Sequence, residues 1–421
     1  MLLYRIFIWL YPKAAWLLSF SNPKAGLWTK GRKELFKKLA LAFHKKTEPV
    51  IWMHCSSLGE FEQGLPILEK LKQQYPRHCL LLSFFSPSGY EIRKQHPVAD
   101  HIFYLPMDSP SNAARFLNIV QPSLVIFIKY EFWYYYLQEI KQRNIPLILA
   151  SGIFRKDQAF FKWYGSMHRK MLSCFSWLFV QNALSAELLA NIGFRNNVIA
   201  AGDTRFDRVI DIAEDFVPLS VIDHFCNTQD TIVAGSTWTE DDEEIDHFAN
   251  THPSVKFLIA PHDIEPERLN ECLSLYKHAM LYSVYEKMHA AGKTIPGDVN
   301  VLIIDNMGML SILYHYATIC YVGGGFGEDG IHNILEAAVY GKPVIFGPVY
   351  DKYFEAEELL DCGGAFSIED ALQLELVLKD LLENKERLIN AGEASKKYVR
   401  SKAGATQKLL QHIQEKRLLM S

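Results

Sequence analysis

Short apolar runs alternate with stretches of helical period along almost the whole chain. In the first half the runs are PVIWMHC, CLLLSFF, HIFYLP, SLVIFIK, IPLILAS, WLFVQ and VIAAG. Each is too short for a helix and lacks clean in-out alternation, which is the pattern of parallel strands buried on both faces. Between them lie helix-like segments such as EQGLPILEKLKQQYP (62–76) and NALSAELLANIGF (182–194), the latter closing on a C-terminal glycine signal at Gly193. Strand and helix in strict alternation predict a doubly wound α/β domain.

A second series, TIVAGS, VKFLIAP, VNVLIID, ATICYVGG and KPVIFGP, begins after a polar segment around residues 210–230. The expectation is therefore two Rossmann-like halves joined near residue 215, with residues 23–212 as the first domain and 213–421 as the second. Ligands in such sheets bind beyond the C-terminal ends of the strands, so the cleft between the halves is the expected site.

Residues 1–22 break this pattern. MLLYRIFIWLYPKAAWLLSF carries only Arg5 and Lys13, is rich in Trp and Tyr, and is interrupted by Pro12. It is followed by eight Lys or Arg between Lys24 and Lys46 against one acid, Glu34. An apolar, aromatic segment with a basic flank is the signature of an anionic membrane surface, whether the segment spans, lies flat or packs on its own domain. Elsewhere charge is unremarkable: 421 residues, 22% charged, net charge -4. No global basic field points to nucleic acid. Seven scattered cysteines without a C-x-x-C pair, and fifteen histidines without H-E-x-x-H spacing, predict neither a disulfide framework nor a metal site.

Four stretches carry candidate chemistry. In HCSSLGEFEQGLP (54–66), Glu60 follows Ser57 at capping-box spacing; it is either a cap or a carboxylate held at a helix N-terminus to serve as a base. On this stretch alone the cap is the simpler account. In YVGGGFGEDGIHNILEAAVYGKPVIFGP (321–348), a strand ends in three glycines, and Asn333 stands as the expected N-cap of a helix carrying Glu336. Glycines admit close backbone approach and a helix N-terminus favours anions, so this loop suits a phosphate. IVAGSTWTEDDEEI (232–245) sets Gly235, Ser236 and Thr237 before an acidic helical turn, and IIDNMGMLSILY (303–314) turns through Asp305, Met307 and Gly308.

Taken in order, HCSSLGE, FSPSGYE (85–91), YLPMDSP (104–110), YEFW (130–133), QNALSAE (181–187), GDTRFD (202–207), AGST (234–237), DNMGML (305–310) and GGGF…GIHNILE…GKPVIFGP resemble the 3-deoxy-D-manno-octulosonic acid (Kdo) transferases of Gram-negative bacteria. The similarity runs from about Gly31 to the C-terminal region. The resemblance implies a GT-B fold of two facing Rossmann-like domains. It implies inverting transfer of Kdo from CMP-Kdo to a lipid A precursor of the lipid IVA type, with no metal and no cofactor, at the cytoplasmic face of the inner membrane. Glu60 falls on the family's general base. Ser57, Gly59 and Glu131, with Arg32 and Lys33 of the basic stretch, are assigned to the acceptor. The donor side comprises Gly235, Ser236, Thr237 and His262, then Asp305, Met307 and Gly308 near cytosine, Gly324, Gly325 and Asn333 at the phosphate, and Glu336 on the ribose.

Two positions depart from the family. IAPHDIEPER (259–268) lacks the Arg usual before His262, for which Arg205 or Arg268 are the candidate substitutes, and Lys129 stands where an acid is common. The competing readings are another GT-B enzyme, such as a lipid glycosyltransferase or non-hydrolysing epimerase, and a membrane-bound nucleotide-sugar binding protein without chemistry.

Overall fold

A computed structural model describes residues 2–44, 46–129 and 132–419. The chain forms two compact units, Met1–Arg208 with Ala403–Ser421, and Val209–Lys402.

The first unit is built on strands β1 (Val50–Cys55), β2 (Cys79–Phe84), β3 (His101–Tyr104), β4 (Pro122–Ile128), β5 (Leu147–Gly152), β6 (Trp177–Val180) and β7 (Val198–Ala200), in the order β3-β2-β1-β4-β5-β6-β7. Every neighbour pair is parallel. Central β1 shows why its sequence is so largely apolar. Val50 and Trp52 enter one core with Phe116 and Tyr136, while Ile51, Met53 and Cys55 enter the opposite core with Leu65 and Leu68. With helices on both faces, no position of β1 faces solvent, and its one polar residue, His54, is buried as well.

The second unit carries β8 (Thr231–Thr237), β9 (Lys256–Pro261), β10 (Ala279–Leu281), β11 (Val301–Ile303), β12 (Ile319–Val322), β13 (Val344–Phe346) and β14 (Ala365–Ser367), in the order β10-β11-β9-β8-β12-β13-β14, again all parallel. The five runs expected from the sequence are all strands. The two additional strands, β10 and β14, are three-residue edge strands, too short to leave a periodic trace.

The C-terminus departs from the expected division at residue 213. Helix Ala405–Glu415 belongs to the first unit, not the second. Leu409, Leu410 and Ile413 complete the core that contains Ile51 and Met53. Its start is capped across the chain by Asp207, whose carboxylate accepts from Gly404 N at 2.5 Å and Thr406 N at 2.7 Å. The sequence separation of almost two hundred residues hid this pairing.

At the other end, α1 (Leu2–Leu18) lies on the first unit by one stripe, with Tyr4, Ile8, Tyr11 and Ala15 half-buried. Tyr4 Oη donates to buried Asp108 and accepts from Tyr134 N at 3.2 Å, and Tyr11 packs edge-on to Trp28 at 5.3 Å between centroids. The opposite stripe, including Trp9, Trp16, Leu17 and Leu18, is exposed. At about 1.5 Å per residue, seventeen residues reach about 25 Å, short of a bilayer core of about 30 Å. No helix among the described residues is long and apolar enough to cross a membrane.

Ending the chain at Lys402 should therefore loosen the first unit and leave the second intact. Hydrogen exchange is expected to rise by at least an order of magnitude at β1 and β4 and to stay unchanged at β8 and β12. Faster exchange confined to β8 and β12 would restore the division at residue 213.

Candidate functional site

In the first unit, β1 ends at Cys55 and turns through Ser56 into α2 (Leu58–Gln74). Ser57 is the N-cap, extended at φ -135, and its hydroxyl accepts from Glu60 N at 3.5 Å. Glu60, 9% exposed, turns its carboxylate back so that Oε2 accepts from Ser56 N at 2.5 Å. The capping-box geometry is thus real, displaced by one residue from the N-cap amide. It places a buried carboxylate at the positive end of a seventeen-residue helix. Beside it Gly59 is exposed, and a Cβ there would meet nothing within 4 Å, so the surface in front of this turn is open.

Behind the turn stands a residue the sequence reading passed over although it lies in the same stretch. His54 is fully buried; its Nε2 accepts from Trp133 Nε1 at 3.1 Å, which leaves Nδ1–H to donate to Ser83, whose Oγ lies at 2.8 Å. The imidazole therefore ties β1 to the segment entering helix Tyr134–Gln142. A second tie is Asp108 of the YLPMDSP block. It accepts from Tyr135 N at 3.0 Å and Tyr136 N at 3.1 Å and so caps that helix from outside. Burial raises the Asp108 carboxyl, while the Tyr4 hydroxyl and the two amides draw it down. Glu131 lies outside the described residues.

The two basic residues assigned to the acceptor fall differently. Lys33 is exposed. Arg32 is boxed by Trp28 at 4.0 Å, Tyr104 at 4.6 Å and Phe85 at 4.9 Å, and donates to the carbonyls of Leu105 at 3.1 Å, Phe85 at 2.8 Å and Trp28 at 3.3 Å. Burial lowers its guanidinium to about 9. With its donors turned to carbonyls, Arg32 braces the fold rather than presenting its charge outward.

In the second unit, the loops after β11, β9, β8 and β12 leave the same sheet edge in that spatial order. They carry Asp305–Gly308, His262, Gly235–Thr237 and Gly324–Gly325, as expected. Their organiser is Asp241, in the helix Thr239–Thr251, which accepts from Trp238 N at 2.9 Å, Gly324 N at 2.8 Å and Tyr321 Oη at 2.9 Å. In sequence this turn is merely acidic; in the structure Asp241 and Asp242 are both buried, while Glu243 is exposed.

The local structure bears on four of these expectations. Asn333 does not cap a substantial helix: the following element is the single turn Leu335–Ala338, so no helix dipole acts on the loop. Asn333 instead donates from Nδ2 to Glu336 Oε1 at 2.9 Å and accepts from Leu335 N at 3.3 Å. The consecutive glycines have a packing cause. Gly324 is left-handed at φ +90, and a Cβ on Gly325 would come within 2.6 Å of the Gly347 backbone. The Gly324 amide is also engaged by Asp241. Asp305 accepts from Ser283 N at 2.9 Å and Oγ at 2.5 Å, so backbone and the exposed Met307 side chain are what 305–308 offers a base. Finally, both candidate arginines are already paired with carboxylates. Arg268 is buried against Asp242 and donates to Glu271 at 2.9 Å, and Arg205 pairs with Asp203 at 2.8 Å in the other unit.

What stands at the end of β9 is a stack of rings. His262 lies between Trp238 and His332, with centroids 4.5 Å apart on each side, and Trp238 Nε1 donates to His332 Nε2 at 3.3 Å. Burial, reinforced by His262, lowers His332 to about 4. Since an unfolded His titrates near about 6.5, the stability His332 contributes is complete above that value and is lost as pH falls through about 4. The melting temperature should thus fall more steeply between pH 6.5 and 4.5 in the wild type than in His332→Gln; parallel pH profiles would contradict this placement.

Residues 33–208 match the family model described as 3-deoxy-D-manno-octulosonic-acid transferase (kdotransferase). A 3-deoxy-D-manno-octulosonic acid transferase of Aquifex aeolicus is 30% identical over 85% of this chain and 92% of its own, and one of Haemophilus influenzae is 27% identical over 86% and 85%. Among solved structures, the UDP-GlcNAc 2-epimerase of Neisseria meningitidis superposes with TM-score 0.62 over 87% of this chain and 100% of its own at 15% identity, a likeness of GT-B-type fold alone. Together with the two parallel-sheet units and the ordered blocks at their strand ends, these similarities show that the chain belongs to the Kdo transferase family, glycosyltransferases of lipopolysaccharide biosynthesis.

Proposed function

We propose that Glu60 is the general base of Kdo transfer from CMP-Kdo to a lipid A precursor of the lipid IVA type, on the cytoplasmic face of the inner membrane. The observation carrying this is the Glu60 carboxylate, anchored through one oxygen on Ser56 N at the head of α2 beside the open surface at Gly59. A base is needed because the acceptor hydroxyl must lose its proton as its oxygen bonds to the anomeric carbon of Kdo. The bond from that carbon to the phosphate oxygen breaks, CMP leaves with the electron pair, and Glu60 releases the proton to solvent. Ser57 and Gly59 form the acceptor side of the turn, with Glu131 and Lys33 as further contacts.

On the donor side, the loops carrying Ser236, Thr237, His262, Gly325, Asn333 and Glu336 are assigned to CMP-Kdo. The Trp238–His262–His332 stack supports the reading that His262 meets the donor anion where the family uses arginine. The surface of contact with the membrane is assigned to the outward stripe of α1 and the lysines that follow it. This arrangement fits a helix lying in the interface rather than crossing the bilayer.

Glu60→Gln retains an oxygen for Ser56 N and so preserves the cap. Turnover with acceptor is expected to fall roughly a hundredfold or more while the melting temperature and CMP affinity stay unchanged. Near-normal transfer would reduce Glu60 to a capping residue.

For the membrane, replacing Trp9, Trp16 and Leu17 together with Ser is expected to reduce co-sedimentation with anionic vesicles several-fold at constant melting temperature. These side chains face away from the body, so deletion of α1, which would strip Tyr4 from Asp108, is a poorer test. Unchanged sedimentation would remove α1 from the membrane contact.

A further inference from the structure

A groove of about 1130 Å³ opens on the first unit between α1 and the segment 155–171. Its walls are Leu3 and Phe7 on one side and Phe160 and Met167 on the other, with Phe132 and Trp133 also lining it. Arg155 is its cationic lining and His168 a polar one, held toward the neutral form by burial and by neighbouring Arg169. Segment 155–170 as a whole carries Arg155, Lys156, Lys162, Arg169 and Lys170 against Asp157 alone. Trp163 is 91% exposed at the turn of this segment and Tyr164 stands beside it, also exposed. An exposed Trp-Tyr pair among lysines and arginines is the composition of a membrane-interface contact.

The groove is continuous with two features already described. At its mouth, Leu3 and Phe7 belong to the exposed apolar surface of α1. Toward the sheet, Trp133 donates to His54, the residue that precedes the Cys55–Ser57 turn leading to Glu60. Phe132 and Trp133 also follow Glu131 directly in the chain. An amphiphile with its sugar at the turn would thus have an apolar slot for a tail on the same unit. The lining is mostly hydrocarbon and aromatic with a few convergent polar groups, the make-up of a site for an apolar ligand.

We propose that this groove seats one acyl chain of the lipid acceptor, so that the enzyme draws a chain out of the bilayer and holds it while the sugar hydroxyl is presented to Glu60. The proposal rests on the reading of a lipid A precursor as acceptor. Arg155 and His168 suit the ester or phosphate groups near the chain's origin, and the aromatic walls suit its methylenes. The bulk membrane supplies the same hydrocarbon, but only the acceptor is tethered to the turn by its sugar.

The test uses the full-length protein in mixed micelles with a tetraacyl disaccharide acceptor analogue carrying a photoreactive diazirine at one acyl terminus. Cross-links mapped by mass spectrometry are expected in peptides covering 155–171 and 2–18. They should be competed by unlabelled acceptor and not by the deacylated headgroup or by phosphatidylglycerol. Ser166→Trp, placed to narrow the groove, should cut labelling several-fold. Displacing two methylenes, each worth roughly fourfold, should raise KM for the acylated acceptor on the order of tenfold with kcat and donor hydrolysis unchanged. Met167→Ala provides an independent, smaller loss should the first variant melt early.

Labelling outside the groove, equal competition by phosphatidylglycerol, or an unchanged KM in both variants would overturn the proposal. Absence of Kdo transfer by the wild type with labelling still in the groove would support the slot and reject the transferase reading of its occupant.

Discussion

Buried carboxylates that collect backbone N–H groups at the strand ends are the interaction on which both units depend. In a parallel sheet every strand must hand over to a helix on one edge, and the loops there carry amides that neither element satisfies. Asp241 gathers Trp238 N and Gly324 N from two different loops and adds the Tyr321 hydroxyl. Asp108 gathers Tyr135 N, Tyr136 N and Tyr4 Oη, joining α1 to the helix that follows YEFW. Half-buried Asp207 plays the same part for the returning C-terminal helix. Glu60 is built on this scheme, with its oxygen on Ser56 N, but it lies beside open surface rather than under other loops.

That common scheme explains why family blocks rich in Asp, Gly and Ser are so largely architectural. Asp203, Thr204, Arg205 and Asp207 of GDTRFD all bond within the first unit: Thr204 Oγ1 reaches the Gln63 carbonyl at 2.6 Å and Arg205 pairs with Asp203. The same holds for Asp305 on Ser283 and for Gly325 against Gly347. A residue block can therefore mark a site by holding its loops in place without touching substrate. The residues that remain presented are fewer: Glu60 and Gly59 in one unit, and Ser236, Met307 and the stacked rings of Trp238, His262 and His332 in the other.

Twelve expected strands are present because burial on both faces leaves an apolar run that needs no context to recognise. What was not legible depends on partners distant in sequence. Helix Ala405–Glu415 has the amphipathic period of any surface helix; only the apolar gap beside β1 and the Asp207 cap decide which unit it joins. Asp241 and Asp242 sit in a run of acids that reads as a solvated first turn, and their burial follows from Gly324, Tyr321, Tyr276 and Arg268, none of them close in the chain. Arg268 stands by position as a candidate anion ligand, and its pairing with buried Asp242 is invisible in the sequence. His54 belongs to the HCSSLGE stretch itself, but a lone histidine in a strand carries no periodic or motif signal.

The central claim is that these strand-end loops carry Kdo onto a lipid acceptor. Incubating the purified protein with CMP-Kdo and a tetraacyl lipid A precursor in mixed micelles, and following both products by mass spectrometry, tests it most directly. The account predicts acceptor carrying one or more added Kdo residues, with one CMP released for each. CMP release at the same rate with and without acceptor, and no Kdo on the lipid, would contradict it.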